Sequence, residues 1–328
     1  MLTTENVTKL SYRLYRDEDI DGVLELWEKY SGWGGITVKQ FNDWHINTPY
    51  GLCLILVAED TEGHIVGQGV FVPSVVYNGG KNNKAYRAMA PIINTTIRGL
   101  NINDFHHPIY AMLRYGMEEA KKNEYFIMYS LPSIGWLRLF KTFPKFGLPV
   151  VYMQTPDCLQ INIEAYNSAN LYHDYYLQVS NFNSEYDQLW QEAIKSLGIK
   201  FAIARYSKWL KWKRSGHHAF EVRNLKNHQL IGFIVINKSG LVIDFLARTI
   251  AEMQMVLQLT IQHLHKNNLD ECGVRLDCLK LMQTHLVDNV LNSSAQQHHK
   301  IDFRFAAVCF SLSEKIIIDK DWFMMPDD

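Results

Sequence analysis

One order of elements occurs twice along this chain, and it restricts the fold more than any other feature. Gly51–Glu59 is an apolar run rich in Leu, Ile and Val that reads as a buried strand. Glu62-Gly63 turns the chain into a second strand, Ile65–Tyr77, and Asn78-Gly79-Gly80 turns it into a third, Ala85–Ile97. Pro108 suits the first position of a helix, where its missing N–H is not needed. Ile109, Met112, Leu113, Gly116, Met117 and Ala120 mark that helix's buried stripe. A short strand at Phe126–Leu131, a helical turn or two at Trp136–Phe140 and a strand at Val150–Gln154 follow. From residue 229 the order returns. Gln229–Ile236 and Gly240–Leu246 form a hairpin, Thr249–His265 a long helix, Val274–Cys278 a strand, Lys280–Leu291 a helix, and Phe303–Leu312 a closing strand. The repetition predicts a duplicated unit of the α/β (α+β) class.

Around this frame the remaining segments read more simply. Asp17-Glu18-Asp19 places acidic groups at the positive end of a helix dipole, and Ile20, Val23, Leu24 and Trp27 give that helix one apolar face. Residues 150–185 read as a closing strand and a connection, with the Tyr172–Tyr176 cluster as packing. Leu189, Trp190, Ala193 and Ile194 space a helix over Tyr186–Leu197.

Charge and composition exclude several classes. Lys and Arg total 33 against 34 Asp and Glu, a net charge of −1, so the basic excess of a nucleic-acid binder is missing. The basic, aromatic run Lys208–Arg214 is expected to be a solvated edge of a folded element. No stretch approaches the ~20 apolar residues of a membrane span, and Met1–Asn6 carries no secretory leader pattern. Five Cys without CxxC spacing point to reduced thiols, a cytoplasmic location and no metal site. The phosphate-loop pattern GxxxxGK[ST], the nucleophile elbow GxSxG and the zinc pattern HExxH do not occur.

The segment Ile92-Ile93-Asn94-Thr95-Thr96-Ile97-Arg98-Gly99-Leu100-Asn101-Ile102 resembles the fourth strand and the Arg-Gly-x-Gly-x loop of the Gcn5-related (GNAT) acyl-coenzyme A transferases, with Asn101 where the second glycine belongs. Glu118–Lys122 resembles the end of the family's next helix, and Leu131-Pro132 the Phe-Pro that closes its next strand. In the second half, Ala204-Arg205 with Trp209–Trp212, Gly232, Ile243–Leu246, and Asp321-Trp322-Phe323 with Asp327-Asp328 resemble a degenerate second copy. The chain is thus similar to bacterial double-GNAT proteins. The resemblance implies two tandem GNAT-like domains, 1–165 binding acyl-coenzyme A and 166–328 a degenerate partner, each a mixed central sheet flanked by helices.

It also implies acetyl-coenzyme A, or another acyl-coenzyme A, as cosubstrate, held by Ile93, Asn94, Thr95, Arg98, Gly99, Leu100, Asn101 and Ile102. Backbone N–H groups at such a turn can cradle a diphosphate beside a helix N-terminus. In this chain Gly99 stands alone, Asn103–His107 inserts before the helix, and Asp104 adds negative charge. Phe140 lies where members carry a proton-donating Tyr, and Phe has no proton to give. Tyr110, Tyr115 and Tyr129 are candidate substitutes, and Glu59, His106 and His107 candidate bases. The catalytic residues stay open, as does Asp244, which reads chiefly as a capping residue. The expected activity is N-acyl transfer to an amine of a small molecule, sugar or peptide. The alternative is a catalytically inactive GNAT-fold binding or assembly protein, for example in surface-polysaccharide synthesis.

Overall fold

The structure, a computed structural model, describes residues 10–89, 91–99, 102–154, 158–162, 172–266, 275–278, 298–301, 307–318, 322, 323 and 325. The elements are, in chain order, β1 (Ser11–Leu14), α1 (Ile20–Tyr30), α2 (Val38–His45), β2 (Leu54–Glu59), β3 (Ile65–Asn78), β4 (Lys81–Ala88), β5 (Ile92–Ile93), α3 (Thr95–Arg98), α4 (Pro108–Lys122), β6 (Ile127–Ser130), α5 (Leu137–Thr142) and β7 (Val150–Gln154). Then come β8 (Cys158–Asn162), β9 (Tyr175–Val179), α6 (Glu185–Ser196), β10 (Phe201–Ile203), α7 (Ser207–Arg214), β11 (His218–Asn224), β12 (Leu230–Ile236), β13 (Val242–Ala247), α8 (Ile250–Lys266), β14 (Arg275–Cys278), β15 (His298–Ile301), β16 (Ala307–Ser311) and β17 (Trp322–Phe323). They gather into two compact units. The first is Met1–Val75, Asn83–Gln154 and Phe305–Ile318; the second is Val76–Asn82, Thr155–Arg304 and Asp319–Asp328.

In the first unit the strand order is β1-β2-β3-β4-β6-β16-β7. The sheet is mixed: β4 runs parallel to β6, whereas β1–β2, β2–β3, β6–β16 and β16–β7 are antiparallel. On one face Leu56 and Phe71 pack with Tyr86 and Met128 against Tyr110 and Met117 of α4 and Phe140 of α5. On the other face Trp27 of α1 reaches Gln68 of β3. Two expectations change here. The strand read as Ala85–Ile97 is broken: β4 ends at Ala88, β5 holds two residues, and 95–98 is helical. The closing strand read in Phe303–Leu312 joins this unit's sheet and not the second unit's, with Cys309 opposite both Tyr129 and Tyr152.

The second unit is organised on an antiparallel meander, β13-β12-β11-β9. Every residue of β12 is buried, as expected of a strand covered on both faces. Alternation along the strand assigns the covers. Phe233 meets Tyr186 of α6, with ring centroids 5.2 Å apart, so its neighbour Gly232 faces α8. A Cβ at 232 would lie 2.7 Å from the Leu246 carbonyl oxygen and 2.9 Å from Val256 Cγ2. That oxygen is fixed in the ladder, so Gly232→Ala is expected to cost about 1–3 kcal/mol, seen as a lower urea midpoint at unchanged slope. Tyr175–Val179, read as connection, pairs with β11 as an edge strand. Phe201 of β10 stacks on Trp322 of β17 at 4.3 Å. The run Lys208–Arg214 is not a solvated edge: it lies in α7, and Trp209, Leu210 and Arg214 are buried while Lys208 and Lys211 stay exposed. The helix expected at Lys280–Leu291 lies outside the described residues, as do Asp321, Asp327 and Asp328.

Candidate functional site

The place to look is where β4 hands over to β5 and α3. β4 runs beside β6 as far as Arg87 opposite Tyr129. Pro91 then interrupts the ladder, because it has no N–H to donate. The chain regains β3 at once: Met89 N–H donates to Val70 O at 2.9 Å and Asn94 N–H to Val66 O at 3.0 Å, with Ile92 opposite Gln68 and Ile93 opposite Gly67. Three residues here span two of β3, which makes a bulge. β5 pairs with β3 alone among the described strands. The two central strands therefore part beyond Arg87 and Tyr129, where Ile92 and Ile93 are buried and Ile93 shares a cluster with Ile97, Ile109 and Met112. Since Asn94 N–H points to β3, alternation aims the N–H and C=O of Ile93 away from it, and that carbonyl accepts from Arg98 Nη2.

Asn94 ends β5 by capping α3: its side-chain oxygen accepts from Ile97 N–H at 2.9 Å. Arg98 N–H donates to Asn94 O and Gly99 N–H to Thr95 O. Arg98 Nη2 donates to Ile93 O at 3.3 Å and to Tyr30 O at 2.9 Å, at the C-terminal end of α1. Ile93, Asn94, Thr95, Arg98 and Gly99 thus form one capped helical turn. Leu100 and Asn101 lie outside the described residues. Ile102 is exposed, and its carbonyl accepts from Tyr110 Oη–H at 2.7 Å.

The start of α4 is equally committed. Pro108 has no N–H. Ile109 N–H donates to His107 Nδ1 at 3.2 Å, and the N–H groups of Tyr110 and Ala111 donate to His107 O. His107 and His106 in turn donate backbone N–H to Asp104, to its carbonyl and Oδ1 respectively. His107 is 2% exposed, and burial holds its pKa below the usual histidine value; the neutral ring can accept at Nδ1 as this cap requires. Arg114 Nη2 donates to Phe105 O at 3.0 Å while its guanidinium lies 4.0 Å from the Phe105 ring centre. The residues fit the two halves of an acyl-coenzyme A unequally. The parted strands offer an edge to an extended pantetheine, whereas at the start of α4 the N–H groups of His106, His107, Ile109, Tyr110 and Ala111 are already bonded within the protein.

The candidate acids and bases separate in space. Phe140 is core, 4.7 Å from Phe143 between ring centres. Tyr110 Oη also meets Thr142 Oγ1 at 3.0 Å, and burial raises its pKa. Tyr129 Oη donates to Ser74 Oγ at 3.1 Å inside the sheet, and Tyr115 packs beside the core. Glu59 accepts from Arg13 Nε at 2.8 Å and serves an ion pair. His106 is exposed. Asp244 is fully buried between Arg205 Nε at 2.8 Å and Arg214 Nε at 3.0 Å, a structural position. The sequence reading missed α2 and the polar pair on α1's face of the sheet. Gln68 is 1% exposed; its Oε1 accepts from Trp27 Nε1 at 2.7 Å, and its Nε2 has no partner among the described residues. A signal for α2 was present: Thr37 and Gln40 are spaced as a capping box, and both of its bonds form.

At the level of sequence, no protein family and no curated protein matches this chain. Solved structures do. A GCN5-related N-acetyltransferase from Anabaena variabilis is similar at TM-score 0.63 and 12% identity, covering 93% of this chain and 73% of its own. The Saccharomyces cerevisiae N-myristoyltransferase with bound myristoyl-CoA is similar at 0.55 and 7%, covering 99% and 84%. A tandem GNAT protein from the clavulanic acid biosynthesis pathway is similar at 0.51 and 9%, covering 94% and 100%. No helix among the described residues is long and apolar enough to cross a membrane. At these identities the likeness speaks for architecture, and by that architecture the chain is a tandem protein of the GCN5-related N-acetyltransferase fold.

Proposed function

We propose that this chain is a cytoplasmic N-acyltransferase that moves an acyl group from a coenzyme A thioester to an amine of a small molecule, sugar or peptide. The parting of β5 from β6 carries the reading. A sheet parted between two central strands turns the Ile93 N–H away from β3, and an extended thioester arm with its own amides can bond it as a strand would. The acyl carbon would then lie in the sheet's plane, on whose α1 face Gln68 Nε2 has no partner among the described residues. The neutral amine adds to the thioester carbonyl, the C–S bond breaks, and one proton passes from nitrogen to the departing sulfur.

A second reading, binding without turnover, is favoured by one observation: the position expected to donate that proton is Phe140, packed in the core. One experiment separates the two. Acetyl-coenzyme A at millimolar concentration is expected to raise the melting temperature, and a panel of amino sugars, amino acids and peptides to include one that releases free thiol. Stabilisation without thiol release on any amine would select the second reading. No stabilisation would remove both.

A further inference from the structure

Resting on the acyltransferase reading, we infer that the aromatic cluster where α1 meets α2 is the acceptor subsite, and that the acceptor it takes is an amino sugar. Trp33 and Trp44 are 66% and 42% exposed, and both lie against the buried Trp27, with ring centres 5.8 and 6.1 Å away. One exposed apolar side chain is ordinary, whereas two large ones gathered on one buried ring mark a binding surface. Trp33 stands between Gly32 and Gly34, both at positive φ. Its N–H donates to Ser31 Oγ at 3.0 Å, and the Ser31 hydroxyl donates to Gly34 O at 3.1 Å. The loop is thus closed on its own bonds and leaves the indole outside.

A second observation lies on the other side of Trp27. Trp27 Nε1–H donates to Gln68 Oε1 at 2.7 Å, which fixes the amide, while Gln68 Nε2 has no partner among the described residues although Gln68 is 1% exposed. A buried amide nitrogen carries two donors, and leaving them unmet is costly; an acceptor oxygen on a ligand accounts for them. Gln68 is opposite Ile92 of β5, and Arg98 Nη2 of α3 donates to Tyr30 O at the end of α1. The cluster therefore adjoins the strand beside which the thioester arm is placed. A pyranose matches both features: its C–H face is apolar and lies flat on an indole, and its hydroxyl oxygens accept from an amide. An apolar amine would leave Gln68 unmet. An amino acid would bring a carboxylate, and no cation on α1, α2 or the loop between them stands without a partner, since Lys29 pairs with Glu25 and Lys39 with Asp43.

The test follows tryptophan fluorescence of the full chain, with no acyl donor present. The probes are methyl glycosides of amino hexoses that carry the amine at different ring carbons, cyclohexylamine and glycine. At least one amino hexose is expected to saturate the signal and to bind about tenfold or more tighter than either other amine, because a site built to donate to a hydroxyl rejects what lacks one. Trp33→Ala is expected to weaken that sugar about fivefold or more at an unchanged melting temperature, since the side chain is exposed. Gln68→Met is expected to narrow the gap between sugar and cyclohexylamine, which a purely structural role would not do. No saturation by any amino hexose, equal binding of cyclohexylamine, a preference for glycine, or an unchanged gap in Gln68→Met would each overturn the inference. So would self-association that Trp33→Ala abolishes, which would give the surface to a second copy. All of these leave the acyltransferase reading to its own test, stabilisation by acetyl-coenzyme A. Sugar binding without that stabilisation would remove the acyltransferase reading, and the acceptor role with it.

Discussion

Asp244→Asn is expected to destabilise the protein by about 3–5 kcal/mol, the cost of removing one partner from a buried ion pair. Asp244 is fully buried, and so are Arg205 and Arg214, whose Nε atoms donate to its two carboxylate oxygens. Each guanidinium also faces aromatic rings: Arg205 lies 4.9 Å from the centre of Phe323 and 5.9 Å from that of Trp190, and Arg214 4.8 Å from that of Trp209. Asparagine keeps the shape and one acceptor oxygen but turns the other into a donor that faces a cation. The loss is thus of charge and polarity rather than volume, which sets it apart from a cavity effect. Urea unfolding followed by tryptophan fluorescence at pH 7 measures it. A carboxylate serving catalysis would show the opposite result, with stability kept and turnover lost.

This ion-pair cluster also shows where sequence reading stops. Arg205, Arg214 and Asp244 look like a strand end, a basic run and a hairpin residue, and only the tertiary fold brings them together. Local rules did well where the signal is local. Pro108 opens α4, Asn78-Gly79-Gly80 turns β3 into β4 with positive φ at both glycines, and the apolar spacing of Thr249–His265 became α8. They failed where two local readings compete. Ile92–Ile97 is rich in β-branched residues and reads as strand. Asn94 accepts from Ile97 N–H and starts a helical turn instead, because a cap bond closes locally whereas a strand needs a neighbour. They failed again over Ala307–Ser311, whose apolar run marks a buried strand but carries nothing to say which sheet receives it. At the candidate site, Ile93 and Asn94 were legible as the end of a strand leading into a loop. The commitment of the amides that follow was not, since it depends on His107, Pro108 and Asp104 acting together.

The second large effect expected is a fall in stability of about 3 kcal/mol between pH 6.5 and pH 4 that disappears in His45→Phe. His45 ends α2 and is fully buried among Phe41, Trp27 and Trp44, with ring centres 5.0, 6.3 and 6.4 Å away. Neither ring nitrogen makes a well-formed hydrogen bond among the described residues, and the Trp44 backbone favours the proton less than burial disfavours it. Two effects oppose each other on its proton. A cation at a helix C-terminus gains about 0.3–1 kcal/mol from the dipole. Burial in an aromatic shell penalises the same cation by more, and the pKa falls to about 4. The unfolded chain takes up this proton near pH 6.5, so between the two values the unfolded state binds more protons than the folded one. Stability therefore rises with pH across that window and is fully present above it. At 1.36 kcal/mol per pH unit, the window is worth about 3 kcal/mol. His107 and His263 are also shifted down by burial, but both persist in the variant and cancel in the difference between the two curves. Phe keeps the aromatic packing without the proton, so urea stability measured from pH 7 to pH 4 should run flatter in His45→Phe. Parallel curves would mean that the imidazole finds a partner or water when charged, and that this part of the core is not closed around it.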